Sequence, residues 1–159
     1  MKMLIAGLGN PILSDDGVGW VVAEKVKEWL SKNDYPITIE SFSLSGISLM
    51  EQMIGFDCVL LIDSLNTGQY PPGNVTTFNL DSMHDFTFGH STSVHDLSLK
   101  NALILGREMK AELPDNDKVI IIGIEAQEIY DFGETLSPEI EAAIPEAFNT
   151  IIQLIKMIA

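Results

Sequence analysis

The chain has one cysteine, Cys58, in 159 residues. That excludes an internal disulfide and points to a reducing, cytoplasmic setting. Basic residues are scarce as well: nine Lys and Arg stand against 23 Asp and Glu, a formal net charge of −14. None of the nine lies between Asn33 and Leu99, a stretch that holds Asp34, Glu40, Glu51, Asp57, Asp63, Asp81, Asp85 and Asp96. Nucleic-acid binding depends on phosphate neutralisation by Lys and Arg, so that class is set aside. An acidic field draws cations instead, either a metal ion or a basic partner surface; the plainer reading is that it confers solubility. No apolar run approaches the roughly 18 residues that a membrane span needs. The opening MKMLIAGLGN has a single Lys, a short apolar run and no cleavage site, and reads as a first strand rather than a signal peptide.

What is present is 46% hydrophobic residues, enough to fill the core of one domain over residues 1–159. The apolar run Met3–Ala6, ending at Gly7, predicts a buried strand. Val18, Val21, Val22, Val26, Trp29 and Leu30 recur at helical spacing and predict a helix from Gly17 to Ser31. ITIESFS alternates as a strand, ISLMEQM reads as a short helix, and CVLLIDS is a strand ending at Asp63. NTGQYPPGN is a turn and NVTTFNL a strand. The Asp63–Asn74 connection holds no helix for a parallel crossover, so these two strands are expected to be antiparallel, with the second near an edge. SVHDLSLKNALILGREM predicts a helix opened by a Ser93–Asp96 capping box, and VIIIGIE another strand. LSPEIEAAIPEAFNTIIQLIKMI is a last helix, with Ser137 as N-cap, Pro138 in its first turn and a kink or restart at Pro145. The order βαβαββαβα predicts a three-layer α/β/α sandwich around a mostly parallel, twisted sheet of about five strands, one of them antiparallel.

The stretch LIAGLGNPILSDDGVG looks like a phosphate loop between strand and helix, yet it departs from the dinucleotide fingerprint. Gly7 and Gly9 fit, but the third glycine position is Ile12. Pro11 removes an N–H, and no Gly-Lys-Ser/Thr follows. GLGNP also opens peptidyl-tRNA hydrolase, but that family's Thr-Arg-His-Asn continuation and its basic surface are absent. Asp15 and Asp16 together exceed what a helix cap requires. Ligands of α/β sheets bind beyond the carboxyl ends of the strands, which is where the second aspartate falls. Asp63, at the end of its strand, is expected on the same edge. So is His95, whose position in a first helical turn favours a neutral, metal-binding imidazole; His84 and His90 are weaker candidates. Each of these residues has a structural reading too, as a turn, capping or solvated residue. Together Asp16, Asp63 and His95 form an N,O,O set suited to zinc, nickel or another divalent ion.

These same segments resemble the hydrogenase maturation proteases, endopeptidases acting on the large subunit of nickel–iron hydrogenases. GLGNPILSDDGVG resembles the family's N-terminal signature, VLLIDS its second motif, STSVHDLSLKNAL its histidine motif, and GIEAQEI with FGETLSPEIEAAIP its C-terminal stretch. The resemblance implies Asp16, Asp63 and His95 as metal ligands. It also implies removal of a C-terminal extension from the precursor subunit after nickel insertion, the bound nickel being what is recognised. One segment departs: where many members carry Asp-Gly-Gly-Thr, Ser41, Phe42, Ser43 and Leu44 stand here, and Gly46 persists.

No Ser-His-Asp or Cys-His set is visible, and Cys58 opens a buried strand. Two routes stay open. Either a metal polarises the scissile carbonyl or activates water, or Asp16 and Asp63 work as an acid–base pair with nickel as a positioning contact. Gly9, Asn10, Gly46 and Thr92 are candidates for contacting the substrate, with Asn10 equally readable as a turn residue. Phe86–Phe88 and Tyr70 read as an apolar rim or as covers over the core. The alternatives to a protease are a non-catalytic module binding metal or a small ligand, and a nucleotide-binding enzyme.

Overall fold

The computed structural model of the chain describes residues 1–82 and 98–159. Its strands are β1 (Met3–Leu8), β2 (Ile37–Phe42), β3 (Cys58–Leu65), β4 (Val75–Asn79) and β5 (Val119–Glu125). Its helices are α1 (Val18–Leu30), α2 (Gly46–Gln52), α3 (Leu99–Glu108) and α4 (Pro138–Ile158). The strands form one sheet in the order β2-β1-β3-β5-β4. β2, β1, β3 and β5 are parallel, and β4 is antiparallel to β5.

Period-two alternation sends β1 and β3 side chains to both faces, and both are apolar, as a doubly covered sheet requires. Met3, Ile5, Cys58, Leu60 and Ile62 pack with α1 and α4. Leu4, Ala6, Leu8, Val59 and Leu61 pack with α2 and α3. Three layers result. Among the described residues no helix is long and apolar enough to cross a membrane.

Several details differ from the sequence expectation. β3 continues two residues past Asp63, to Leu65. β4 is at an edge and antiparallel, but it pairs with β5 rather than β3, because β1 and β5 occupy both sides of β3. α3 begins at Leu99, where the Ser98 hydroxyl caps the Asn101 N–H (3.3 Å). Ser93, Asp96, the Phe86–Phe88 rim, Thr92 and the histidines 84, 90 and 95 lie outside the described residues. α4 runs through Pro145 without restarting. Pro145 is on the exposed side, while Ile140, Ile144, Ala147, Ile151 and Ile155 hold the other side in the core.

This topology fixes where a site is expected. From β1 the chain passes through α1 to β2 on one side, then through α2 to β3 on the other. The β1–β3 boundary is therefore the switch point, where a crevice opens beyond the carboxyl ends of the strands.

Candidate functional site

The buried polar or charged residues Asp15, Asp16, Asp63, Ser64 and Glu125 all stand at or just beyond the carboxyl ends of β1, β3 and β5. Burying a carboxylate is costly unless it is hydrogen-bonded, and the partners of three of them set out the local architecture.

Asp15 and Asp16 lie in a 3-10 turn, Ser14–Gly17, between the glycine loop and α1. Each accepts one serine hydroxyl and one backbone N–H. Asp15 takes the Ser137 N–H and hydroxyl, both at 2.7 Å. It therefore ties the start of α4 to the loop rather than capping its own helix. Asp16 takes the Ser64 hydroxyl on Oδ1 (2.8 Å) and the Asn10 N–H on Oδ2 (2.8 Å). These donors are uncharged and satisfy the buried oxygens.

Asp63 is 1% exposed. It shares the α2/α3 side of β3 with Val59 and Leu61 by alternation, whereas Ser64 faces the α1 side. The donor to Asp16 is thus the chain neighbour of Asp63. Two carboxylates meet the β1–β3 crevice, Asp16 from the α1 side and Asp63 from the side that carries α3. Among the described residues no group of three His, Cys, Asp or Glu side chains stands ready for a metal; His95 lies outside them.

The glycines serve this placement. Gly9 has φ +125°, and a Cβ there would meet the Asp16 carbonyl oxygen at 2.0 Å. A Cβ on Gly19 would meet the Leu8 and Ile62 carbonyls at 2.3 and 2.5 Å. The first turn of α1 therefore crosses the ends of β1 and β3 at a distance only glycine allows, which brings Asp16 over the strand ends. Gly9 donates its N–H to Phe42 O (3.2 Å) and receives the Ser43 hydroxyl on its carbonyl (2.7 Å). The segment SFSLSG thus latches the glycine loop. Asn10 accepts the Ile12 N–H on Oδ1 (3.2 Å), a local turn contact. With the Gly9 and Asn10 N–H groups used internally, the Asn10 side-chain amide is the group of these two residues left to donate to a ligand. Gly46, with φ 53°, opens α2 at the end of the latch.

The sequence points to no role for Glu125 or Ser64, and to Ser137 only as the N-cap of α4, a position it holds while its hydroxyl goes to Asp15. Glu125 Oε1 accepts the N–H groups of Thr67 and Gly68 (2.9 and 2.8 Å), and the Thr67 hydroxyl bonds the same carboxylate. It fixes the turn after β3. A glutamate closing a strand gives no sign of this, because its partners are 57 and 58 residues away. Cys58 sits at the opposite, amino end of β3; burial pushes its thiol up, the nearby Lys118 charge only partly offsetting this, so it stays protonated and non-nucleophilic.

A family model described as hydrogenase maturation protease matches residues 22–154. The match includes Asp63 and Glu125 but not the Gly9–Asp16 loop. The hydrogenase expression/formation protein HupD of Thiocapsa roseopersicina is 24% identical over 153 residues, which cover 96% of this chain and 66% of that protein. The hydrogenase 2 maturation protease of Escherichia coli is 24% identical over 156 residues, covering 98% of this chain and 92% of that one. Among solved structures, the hydrogenase-maturating endopeptidase HybD of E. coli superposes with a TM-score of 0.75 at 22% identity, covering 99% of this chain and 93% of that one. The hydrogenase maturation protease HybD of Thermococcus kodakarensis gives 0.63 at 22% identity, with 97% and 99% covered. Likeness at this identity speaks for the shared fold.

Proposed function

This chain belongs to the hydrogenase maturation protease family, and from that membership we propose that it is the endopeptidase that trims the C-terminal extension of a nickel–iron hydrogenase large-subunit precursor. The nickel already inserted in the substrate is the mark it reads, and the reducing cytoplasm is where it works. The observation that carries the site assignment is the Asp16 carboxylate, 1% exposed and held by Ser64 and Asn10 at the switch-point crevice.

The donor chemistry fits a divalent ion. Asp16 and Asp63 are oxygen donors, His95 would supply the nitrogen, and the partners of Asp16 at Ser64 and Asn10 are both uncharged. A metal at this position, whether the substrate's nickel or another divalent ion, supplies positive charge that polarises a carbonyl or acidifies a water. The chain's own groups do the rest. Ser64 and the Asn10 N–H fix the direction of the Asp16 carboxylate. Asp63, on the other side of the sheet, would hold or move a proton. Gly9, Asn10 and Gly46 would border an extended peptide there, and Thr92, outside the described residues, remains a further candidate contact.

Incubation of the purified protein with a nickel-loaded precursor, followed by intact-mass measurement of the large subunit, tests this. The wild type is expected to shorten the subunit at one C-terminal bond. Asp16→Asn, which keeps the size of the side chain but loses its charge and one of the two oxygens that accept from Ser64 and Asn10, is expected to slow cleavage by at least about a hundredfold. An unaltered subunit with the wild type, or an unchanged rate with Asp16→Asn, overturns the reading.

A further inference from the structure

The segment Ala126–Ser137 straps the carboxylate loop. Ser14 N–H donates to Gly133 O (2.8 Å), Gly133 N–H to Ile12 O (2.9 Å) and Asp15 N–H to Glu128 O (3.1 Å). The Ser14 hydroxyl donates to Asp131 O (2.9 Å), and Ser137 bonds Asp15 twice. Ile129 pins the strap into the core at 1% exposure. Despite this tight backbone, two aromatic side chains are held outward: Phe132 is 86% exposed and Tyr130 59%. Ile12, whose carbonyl is bonded next to Phe132, is 47% exposed. Isolated exposed apolar residues are ordinary, but a rigidly presented cluster beside a site marks a contact surface.

Its border is of one sign. Glu128, Asp131 and Glu134 are exposed around the aromatics, and no Lys or Arg occurs between Lys118 and Lys156. An apolar centre with an acidic rim complements an apolar patch ringed by Lys and Arg. We infer that Phe132, Tyr130 and Ile12 dock the folded body of the large-subunit precursor through such a basic-rimmed apolar patch, while its tail enters the crevice. This rests on the proposed protease function. Because the strap is bonded to the Ser14–Asp16 turn, the docked body is held in fixed register with Asp16.

The experiment compares wild type, Phe132→Ser/Tyr130→Ser, and Glu128→Lys/Asp131→Lys/Glu134→Lys on a purified nickel-loaded large-subunit precursor. It reads KM, kcat and salt dependence, with thermal melts to confirm the fold. The aromatic double variant is expected to raise KM about tenfold or more at unchanged kcat. The lysine variant is expected to raise KM and flatten its increase with salt. If wild type cleaves and both variants keep its KM, the docking surface is wrong and the protease function stands. If wild type neither binds nor cleaves, both fall. If sedimentation finds a wild-type dimer that Phe132→Ser/Tyr130→Ser dissolves, the surface belongs to a second copy of this chain and the docking inference is overturned.

Discussion

Asp15 and Asp16 are adjacent, equally buried and bonded to the same types of donor, yet they do different work. The difference lies in where the donors come from. Ser137 belongs to the start of α4, so Asp15 is a tie between elements; Ser64 belongs to the end of β3, so Asp16 is aimed at the switch-point crevice. The sequence marks two carboxylates where one would cap a helix, but it does not say which serine meets which. Cys58 illustrates the opposite case, a reactive residue type made inert by place. Burial raises its folded-state pKa, so above the ordinary thiol value of about 8.5 the unfolded chain releases a proton that the folded chain keeps. The folded state binds more protons there, and stability must fall as pH rises past that value. Urea melts at pH 7 and pH 10 are expected to show a loss that Cys58→Ala lacks, at most about 1.4 kcal/mol per pH unit; equal pH dependence in both proteins would contradict this.

At the scale of elements, the glycine loop, the SFSLSG latch and the Ala126–Ser137 strap hold one another by backbone and serine hydrogen bonds. The tie between Asp15 and Ser137 is the clearest joint, linking the loop to α4 across 122 residues. Ser137→Ala removes the hydroxyl donor to a buried carboxylate and is expected to cost about 1.5–3 kcal/mol, read as a lower midpoint in urea unfolding with an unchanged slope. A shift below about 0.5 kcal/mol would mean that the tie contributes little. The element order and the helix faces were legible because hydrophobic periodicity reports them directly: the Val18–Leu30 stripe and the CVLLI run need no long-range information. The Ser98 cap of α3 was not legible, since the expected Ser93–Asp96 box lies outside the described residues and periodicity alone does not mark Ser98. The partner of β4 was not legible either, since local spacing says antiparallel but not beside which strand. Glu125 and Ser64 escaped notice because their roles are defined by residues nearly fifty or more positions away.

At the scale of the whole molecule, most bases of the described residues gather at one edge of the sheet. Helices return antiparallel to the parallel strands, so Lys27 and Lys32 at the end of α1, Arg107 and Lys110 at the end of α3, and Lys156 in the last turn of α4 join Lys2 and Lys118 at the amino edge of the sheet. The buried carboxylates occupy the other edge. Such a field orients a partner that carries positive charge, as metal or as basic surface, toward the crevice before contact. The most direct test of the account presents the wild-type protein with the same large-subunit precursor in nickel-loaded and nickel-free forms and follows the mass of the subunit over time. The account predicts loss of the C-terminal extension from the nickel-loaded form alone; equal cleavage of both forms, or of neither, would contradict it.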